Sequence, residues 1–349
     1  MSHVLVIGNG AAGTFSSWLL ARKGWKVTMV GRGTPGAALS TGCLRSVPSA
    51  CRGEISEFLD NEHMPWAAGE REGASRIGTS FRCWMSPSHT TWTDDEKPKS
   101  IAVAGLEGHP SLQVRVASAL LNERGVRAEP FMLPAPVPSD VPLTSWFRND
   151  EAWEELAEDL QRSSAEAILL PAIVHLHEYP RLDRLERRCG RRVLEAVSPL
   201  GAPGQRLADL MLSKARSAGT VVWDGRKVSA LEVQADEVRG ATIIGGSEAR
   251  HVATDAVVIA TGGPLVDGLV LDGRKIMDPF GRFQIVRRGD ALRGGYHCTN
   301  GKLISADGMV MTNTVGAGDC LSAERREYGS GLTEALESAY RAVRALEEA

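Results

Sequence analysis

The residues best placed for chemistry are six in a row near the N-terminus, Gly8-Asn9-Gly10-Ala11-Ala12-Gly13. They follow the apolar run Val4-Leu5-Val6-Ile7 and precede a helical pattern over 14–23 that Gly24 closes. In a G-x-G-x-x-G loop so placed, the first glycine permits the turn and the second lets a phosphate approach the backbone. The third lets helix and strand pack closely. The helix N-terminus adds unpaired N–H groups and a partial positive charge. Gly8, Gly10, Ala11, Ala12 and Gly13 are therefore expected to cradle a phosphate.

The next strand, 26–30, runs into Gly31-Arg32-Gly33. Dinucleotide folds usually place a carboxylate there to grip an adenosine ribose. A ligand without adenosine needs none, and Arg32 beside Gly33 would give its phosphate a charge-assisted contact. An arginine also suits a 2′-phosphate. Backbone contacts can hold an adenosine as well. The plain alternative is a solvated arginine at a strand end.

Three later stretches point to a flavin in the same site. Ala256-Val257-Val258-Ile259 reads as a buried strand ending in Ala260-Thr261-Gly262-Gly263. In two-dinucleotide-type flavoproteins such a strand passes beneath the cofactor. Gly318-Asp319 follows a short strand, where such folds set a carboxylate near the ribityl chain. Gly329-Ser330-Gly331 opens the last helix, whose N-terminus would stabilise the anion formed on flavin reduction. Each stretch alone suits an ordinary turn or helix start. Their order carries the reading. Val228, at the start of a predicted strand, joins the expected cofactor-binding residues.

The elements that must position these residues form a βαβ unit over 4–30. Helix is expected over 205–218 and 332–347, and antiparallel strands over 227–234 and 241–244. Between them, 61–199 reads as an inserted, partly α/β cap. It contains a hairpin flanking Ser86-Pro87, a strand–helix pattern over 101–124, a Pro-rich loop over 130–142, a helix over 151–162 and a strand over 167–171. The fold class is α/β, a Rossmann-like FAD/NAD(P)-binding fold, with 1–60 and 200–349 as a discontinuous flavin domain.

At a net charge of −3 over 349 residues, nothing favours nucleic acid as a partner. The six cysteines form no CxxC pair, so neither zinc nor a cysteine-held iron–sulfur cluster is expected. Reduced thiols in the cytoplasm are the expectation. No basic leader precedes the first strand, and apolar runs such as 256–260 are far shorter than the roughly 20 residues of a membrane span.

In this order the motifs resemble the FMN-binding subunit family of the anaerobic glycerol-3-phosphate dehydrogenase. The resemblance rests on the glycine loop, Arg32-Gly33, Leu39-Ser40-Thr41-Gly42-Cys43-Leu44, Gly78-Thr79 with Trp84-Met85-Ser86-Pro87, Ile101-Ala102-Val103-Ala104-Gly105-Leu106 and Gly219-Thr220-Val221-Val222-Trp223. It implies FMN as the cofactor, with Ser40, Thr41 and Gly42 near it and FAD as the alternative. It also implies a catalytic FAD subunit and an iron–sulfur subunit as partners, at the inner face of the cell membrane. The reaction implied is oxidation of sn-glycerol 3-phosphate, with electrons passing to quinone. The chain departs from the family at Tyr328-Gly329-Ser330-Gly331-Leu332, where members carry a richer glycine stretch.

A substrate-oxidising constellation is not evident. Arg293 and His297, after Arg287-Arg288, are the best candidates, although a basic run is more often a solvated face. His175 and His177 would share a face of a strand, and a structural pair is the simpler reading. Two other functions stay open. One is a self-sufficient flavin oxidoreductase acting on a small acid or amine. The other is a non-catalytic subunit of flavoprotein fold.

Overall fold

Four short strands build one sheet, three of them almost wholly buried and the fourth buried at its C-terminal end. They are β1 (His3–Ile7), β2 (Lys26–Val30), Ala256–Ile259 and Val310–Gly316. In the computed structural model they pair in parallel, with Val221–Trp223 outside β2. Lys302–Ile304 and Cys298–Thr299 extend the far edge antiparallel, completing seven strands. The structure describes residues 2–33, 36–134, 137, 138, 140–199, 201–266, 268–273, 275–288, 290–322 and 331–348.

The chain divides into two units. The first comprises Met1–Ala37, Val47–Leu59 and Ala208–Ala349 and holds this sheet. Helix α1 (Ala11–Arg22) packs on the final helix, Gly331–Glu347. Lys23 pairs with Glu347 where the two meet. Phe58 lies over Phe15 and Trp18, with ring centroids 4.9 and 5.1 Å apart. An antiparallel layer of Lys227–Gln234, Glu237–Gly245 and Glu248–Ala253 packs Leu231, Val238 and Ile243 into one apolar cluster with Leu5, Ile7, Val257 and Ile259. Its first two strands follow the sequence expectation. The third, Glu-Ala-Arg-His-Val-Ala, is mostly exposed and shows no apolar pattern to read.

The second unit comprises Ala38–Ser46 and Asp60–Leu207. Its centre is a parallel sheet in the order Arg127–Leu133, Ser100–Leu106, Ala167–Leu170, Arg192–Glu195. Three expectations need correction here. The predicted hairpin is not one. β3 (Trp66–Ala74) lies between β4 (Ser80–Pro87) and Thr91–Trp92 and pairs with both. Its alanines and glycines hide it from β-propensity. The Pro-rich loop begins later than expected, because Pro130 belongs to a strand; it sits on the sheet edge, where a missing N–H costs nothing. His175 precedes a 3₁₀ turn, Leu176–Glu178, and His177 lies inside it, so neither is on a strand. His177 meets His63 edge-on at 5.0 Å.

Two buried groups fix this unit. Arg206 and Glu195 are almost fully enclosed and pair through two contacts, of 3.0 and 2.5 Å. The Arg206 guanidinium also lies 4.8 Å from the Tyr179 ring centroid. His89 is held by Asp183 at 2.9 Å and by the Val193 carbonyl at 3.0 Å.

Candidate functional site

The glycine loop is packed so tightly that side chains are excluded from it. Gly8 sits at φ +119°, and a Cβ there would overlap the carbonyl oxygen of Ala260. Its N–H donates to Val30 O at 2.8 Å, tying the turn to the end of β2. A Cβ on Gly13 would overlap the carbonyl oxygen of Gly8, so the third glycine brings α1 against the first. Gly10 is the extended N-cap of α1, with no side-chain cap of its own. The first-turn N–H groups are thus available to an anion.

The loop joins the end of β2 through Asn9. Asn9 is buried, and its amide Nδ2 donates to Gly33 O at 3.3 Å. A Cβ on Gly31 would strike that side chain. Gly31 is therefore where the loop and the β2 end pack together, a role that sequence spacing alone did not reveal.

A cavity of about 670 Å³ opens along this line. Gly8, Gly10, Arg32, Gly33, Val228, Ala260, Thr261 and Gly262 all line it. So do residues that the sequence reading did not assign to the site, among them Asn9, Arg226, Lys227, Gly268 and Phe280. The signal for Arg226 lay in its position just past the Val221–Trp223 strand, the neighbour of β2. Among the described residues of the lining, Arg32, Arg226 and Lys227 are the charged ones. The Nη1 of Arg226 is buried without a hydrogen-bond partner. Its guanidinium lies over the Trp223 ring at 5.4 Å, and its backbone N–H donates to Gly31 O at 3.0 Å. A Cβ on Gly245 would approach the Arg226 side chain to 2.9 Å, so that glycine leaves the arginine its room.

The remaining candidates lie elsewhere. Ala11, Ala12 and Gly13 form the first turn of α1, behind the loop. Gly318, Asp319 and Gly331 line a second cavity of about 710 Å³ beside the final helix, together with Ser338 and Arg341. Asp319 is still a close neighbour of Gly263, and Gly318 of Ala12. The N–H of Gly318 donates to Ser338 Oγ at 2.8 Å. Gly329 and Ser330 lie outside the described residues. Ser40, Thr41 and Gly42 belong to the second unit, where Ser40 Oγ accepts the Gly42 N–H at 3.1 Å. Arg293 lies on the Asp290–Tyr296 strand, and its side chain is outside the description. His297 is half-buried, is absent from the lining of both cavities, and bonds Gln284 Oε1 at 2.7 Å.

This geometry suits anion binding rather than proton transfer. Among the described residues, the titratable side chains lining the glycine-loop cavity are cationic. Burial pushes the Cys320 thiol up to about 12, so it is no nucleophile at neutral pH. Burial likewise raises the Tyr296 phenol, which donates to Asp278 at 2.8 Å. The glycine cradle and the orphaned Arg226 nitrogen fit a nucleotide phosphate.

Among the described residues no helix is long and apolar enough to cross a membrane. Among solved structures, a geranylgeranyl bacteriochlorophyll reductase-like protein from Thermoplasma acidophilum is 12% identical, with a TM-score of 0.42 over 99% of this chain and 78% of that one. The myxobacterial chondrochloren halogenase, a FAD-dependent halogenase, is 10% identical, with a TM-score of 0.41 over 99% and 78%. No curated protein matches. The profile of the FAD dependent oxidoreductases matches residues 3–294, and the chain belongs to that family.

Proposed function

We propose that the chain holds FAD in the glycine-loop cavity and uses it for oxidoreduction. The observation that carries this reading is the cavity itself: a glycine cradle that excludes side chains, continuous with a cationic lining that reaches Val228. FMN, which the missing carboxylate favours, would fill the loop and leave the stretch toward Val228 open. FAD, with its adenosine, would extend along both, and the family is FAD-dependent. The absent carboxylate then means an adenosine held by backbone and by arginines.

FAD supplies a centre that takes up a hydride or single electrons. The work of this chain is binding. The first-turn N–H groups of α1 and the loop would hold the pyrophosphate. Arg226 and Arg32 would supply positive charge beside it. Asp319, which lines the second cavity but lies next to Gly263, would reach the ribityl side from there.

The finer reading is a subunit like the FMN-binding one of the anaerobic glycerol-3-phosphate dehydrogenase, relaying electrons between a catalytic FAD subunit and an iron–sulfur subunit. The ordered motifs support it, and so does a lining whose described titratable residues are all cationic. The second reading, a self-sufficient oxidoreductase on a small acid or amine, is favoured by the family match.

The test is the absorption spectrum of the purified chain, with mass spectrometry of whatever denaturation releases. Released FAD supports the proposal, and FMN overturns the cofactor assignment. A colourless chain that neither flavin reconstitutes leaves the non-catalytic reading. Bleaching of the isolated chain by a small acid or amine would select the self-sufficient enzyme over the relay.

A further inference from the structure

Within the second unit, Cys43 and Cys83 form a buried thiol pair that the flavin site does not use. Both are almost fully enclosed and share one small cluster with Val197. The local backbone brings them to the same face. The carbonyl of Leu44 accepts from two successive N–H groups of β4, Trp84 at 2.8 Å and Met85 at 3.2 Å. Two residues against one is a bulge, and it shifts the alternation of side chains by one place. Without it, Cys83 and Cys43 would point to opposite faces. With it, both side chains enter the same small cluster.

The two sulfurs differ in surroundings. Cys83 lies directly across the ladder from Arg71. It also borders a cavity of about 220 Å³ whose lining includes Arg45, Arg71, Arg82, Glu70 and Asp94. Cys43 does not line that cavity. Both charge signs stand around the opening, which suits a small zwitterionic molecule.

We propose that Cys43 and Cys83 are a redox-active dithiol, with Cys83 the attacking and Cys43 the resolving sulfur, oxidised by a small zwitterionic disulfide. The Cys83 thiolate attacks one sulfur of that disulfide, whose S–S bond breaks and releases one thiol. Cys43 then loses its proton to the second leaving sulfur and attacks Cys83 Sγ. The Cys43–Cys83 bond forms as the second thiol departs. Two electrons pass from the protein pair to the external disulfide, and no other oxidant is needed. The charge environment agrees in direction. The hydrogen bond from Cys43, with Ser86 and Arg71 nearby, lowers the Cys83 thiol, whereas accommodating Cys83 and burial raise that of Cys43.

The test is thiol mapping of the full chain. The protein is incubated with glutathione disulfide, alkylated under denaturing conditions, and digested for mass spectrometry. The expected product is a peptide pair joined through Cys43 and Cys83, with Cys51, Cys189 and Cys320 still alkylated. C43S should accumulate a Cys83–glutathione adduct about tenfold above wild type, and C83S should leave Cys43 unmodified. Wild-type protein alone decides the matter if a variant fails to fold. Glutathione retained on half-buried Cys298 with Cys43 and Cys83 both alkylated overturns the proposal, and so does a stable mixed disulfide on wild-type Cys83.

Discussion

Gly13→Ala should cost the chain its cofactor. In an ordinary helix this substitution stabilises by up to about 1 kcal/mol. Here the new Cβ would overlap the Gly8 carbonyl oxygen, inside the 3.0 Å that real Cβ atoms keep. Both atoms belong to backbone, so neither can swing aside. Either α1 or the loop must shift by roughly 1 Å or more to restore contact at about 3.5 Å. Overpacking of this kind costs about 1–3 kcal/mol, which set against that gain leaves a net loss of about 0–2 kcal/mol in stability. The binding loss is larger. A shift of that size takes loop N–H groups out of hydrogen-bond range of a phosphate. Two charge-assisted bonds are worth about 3 kcal/mol together at the low end, or at least about a hundredfold in affinity. Gly24→Ala is the matched control. Gly24 has a positive φ, +86°, which Gly13 does not, and nothing stands within 4 Å of its Cβ position. It should cost about 1–2 kcal/mol of stability and leave affinity unchanged. Quenching of FAD fluorescence measures affinity, and urea unfolding measures stability. A G13A protein that binds FAD within about threefold of wild type would refute the cradle argument.

Other predictions follow the same logic. Gly31→Ala should destabilise by about 1–3 kcal/mol by striking Asn9, and Asn9→Gly in the same chain should restore part of the loss, read as a positive coupling in a double-mutant cycle of urea unfolding. Glu195→Gln leaves the Arg206 charge buried without its carboxylate, and denaturant unfolding should show a loss of about 3–5 kcal/mol. Cys320 is held up to about 12 from an ordinary 9.0 by burial. The folded state keeps the neutral thiol, so this contribution is full below pH 9 and is lost as the pH climbs from 9 toward 12. Urea unfolding at pH 8 and pH 10.5 should lose on the order of 2 kcal/mol, and Cys320→Ala should flatten the difference.

Much of the scaffold was legible because it is local. An apolar run, a glycine turn and a helical period define β1, the loop and α1 within 24 residues. The antiparallel pair and the final helix show the same local periodicity. What could not be read was contact between distant segments. β3 carries alanines and glycines that no propensity favours in a strand, and it forms because β4 and Thr91–Trp92 both need a partner. The Glu248–Ala253 strand is polar because it is exposed at an edge.

The site divides the same way. A phosphate-type loop and the absence of a carboxylate after β2 are facts of the chain's order, since the steric demands of a tight turn act over a few residues. That Arg226 stands beside that loop, with a buried nitrogen unpaired, depends on the Val221–Trp223 strand lying next to β2. Gly318 and Asp319 show the converse. Their motif was legible, but the fold sets them in the lining of a separate cavity beside the final helix. Local sterics fix which backbone can approach a phosphate. Only long-range pairing decides which charges from elsewhere in the chain converge on it.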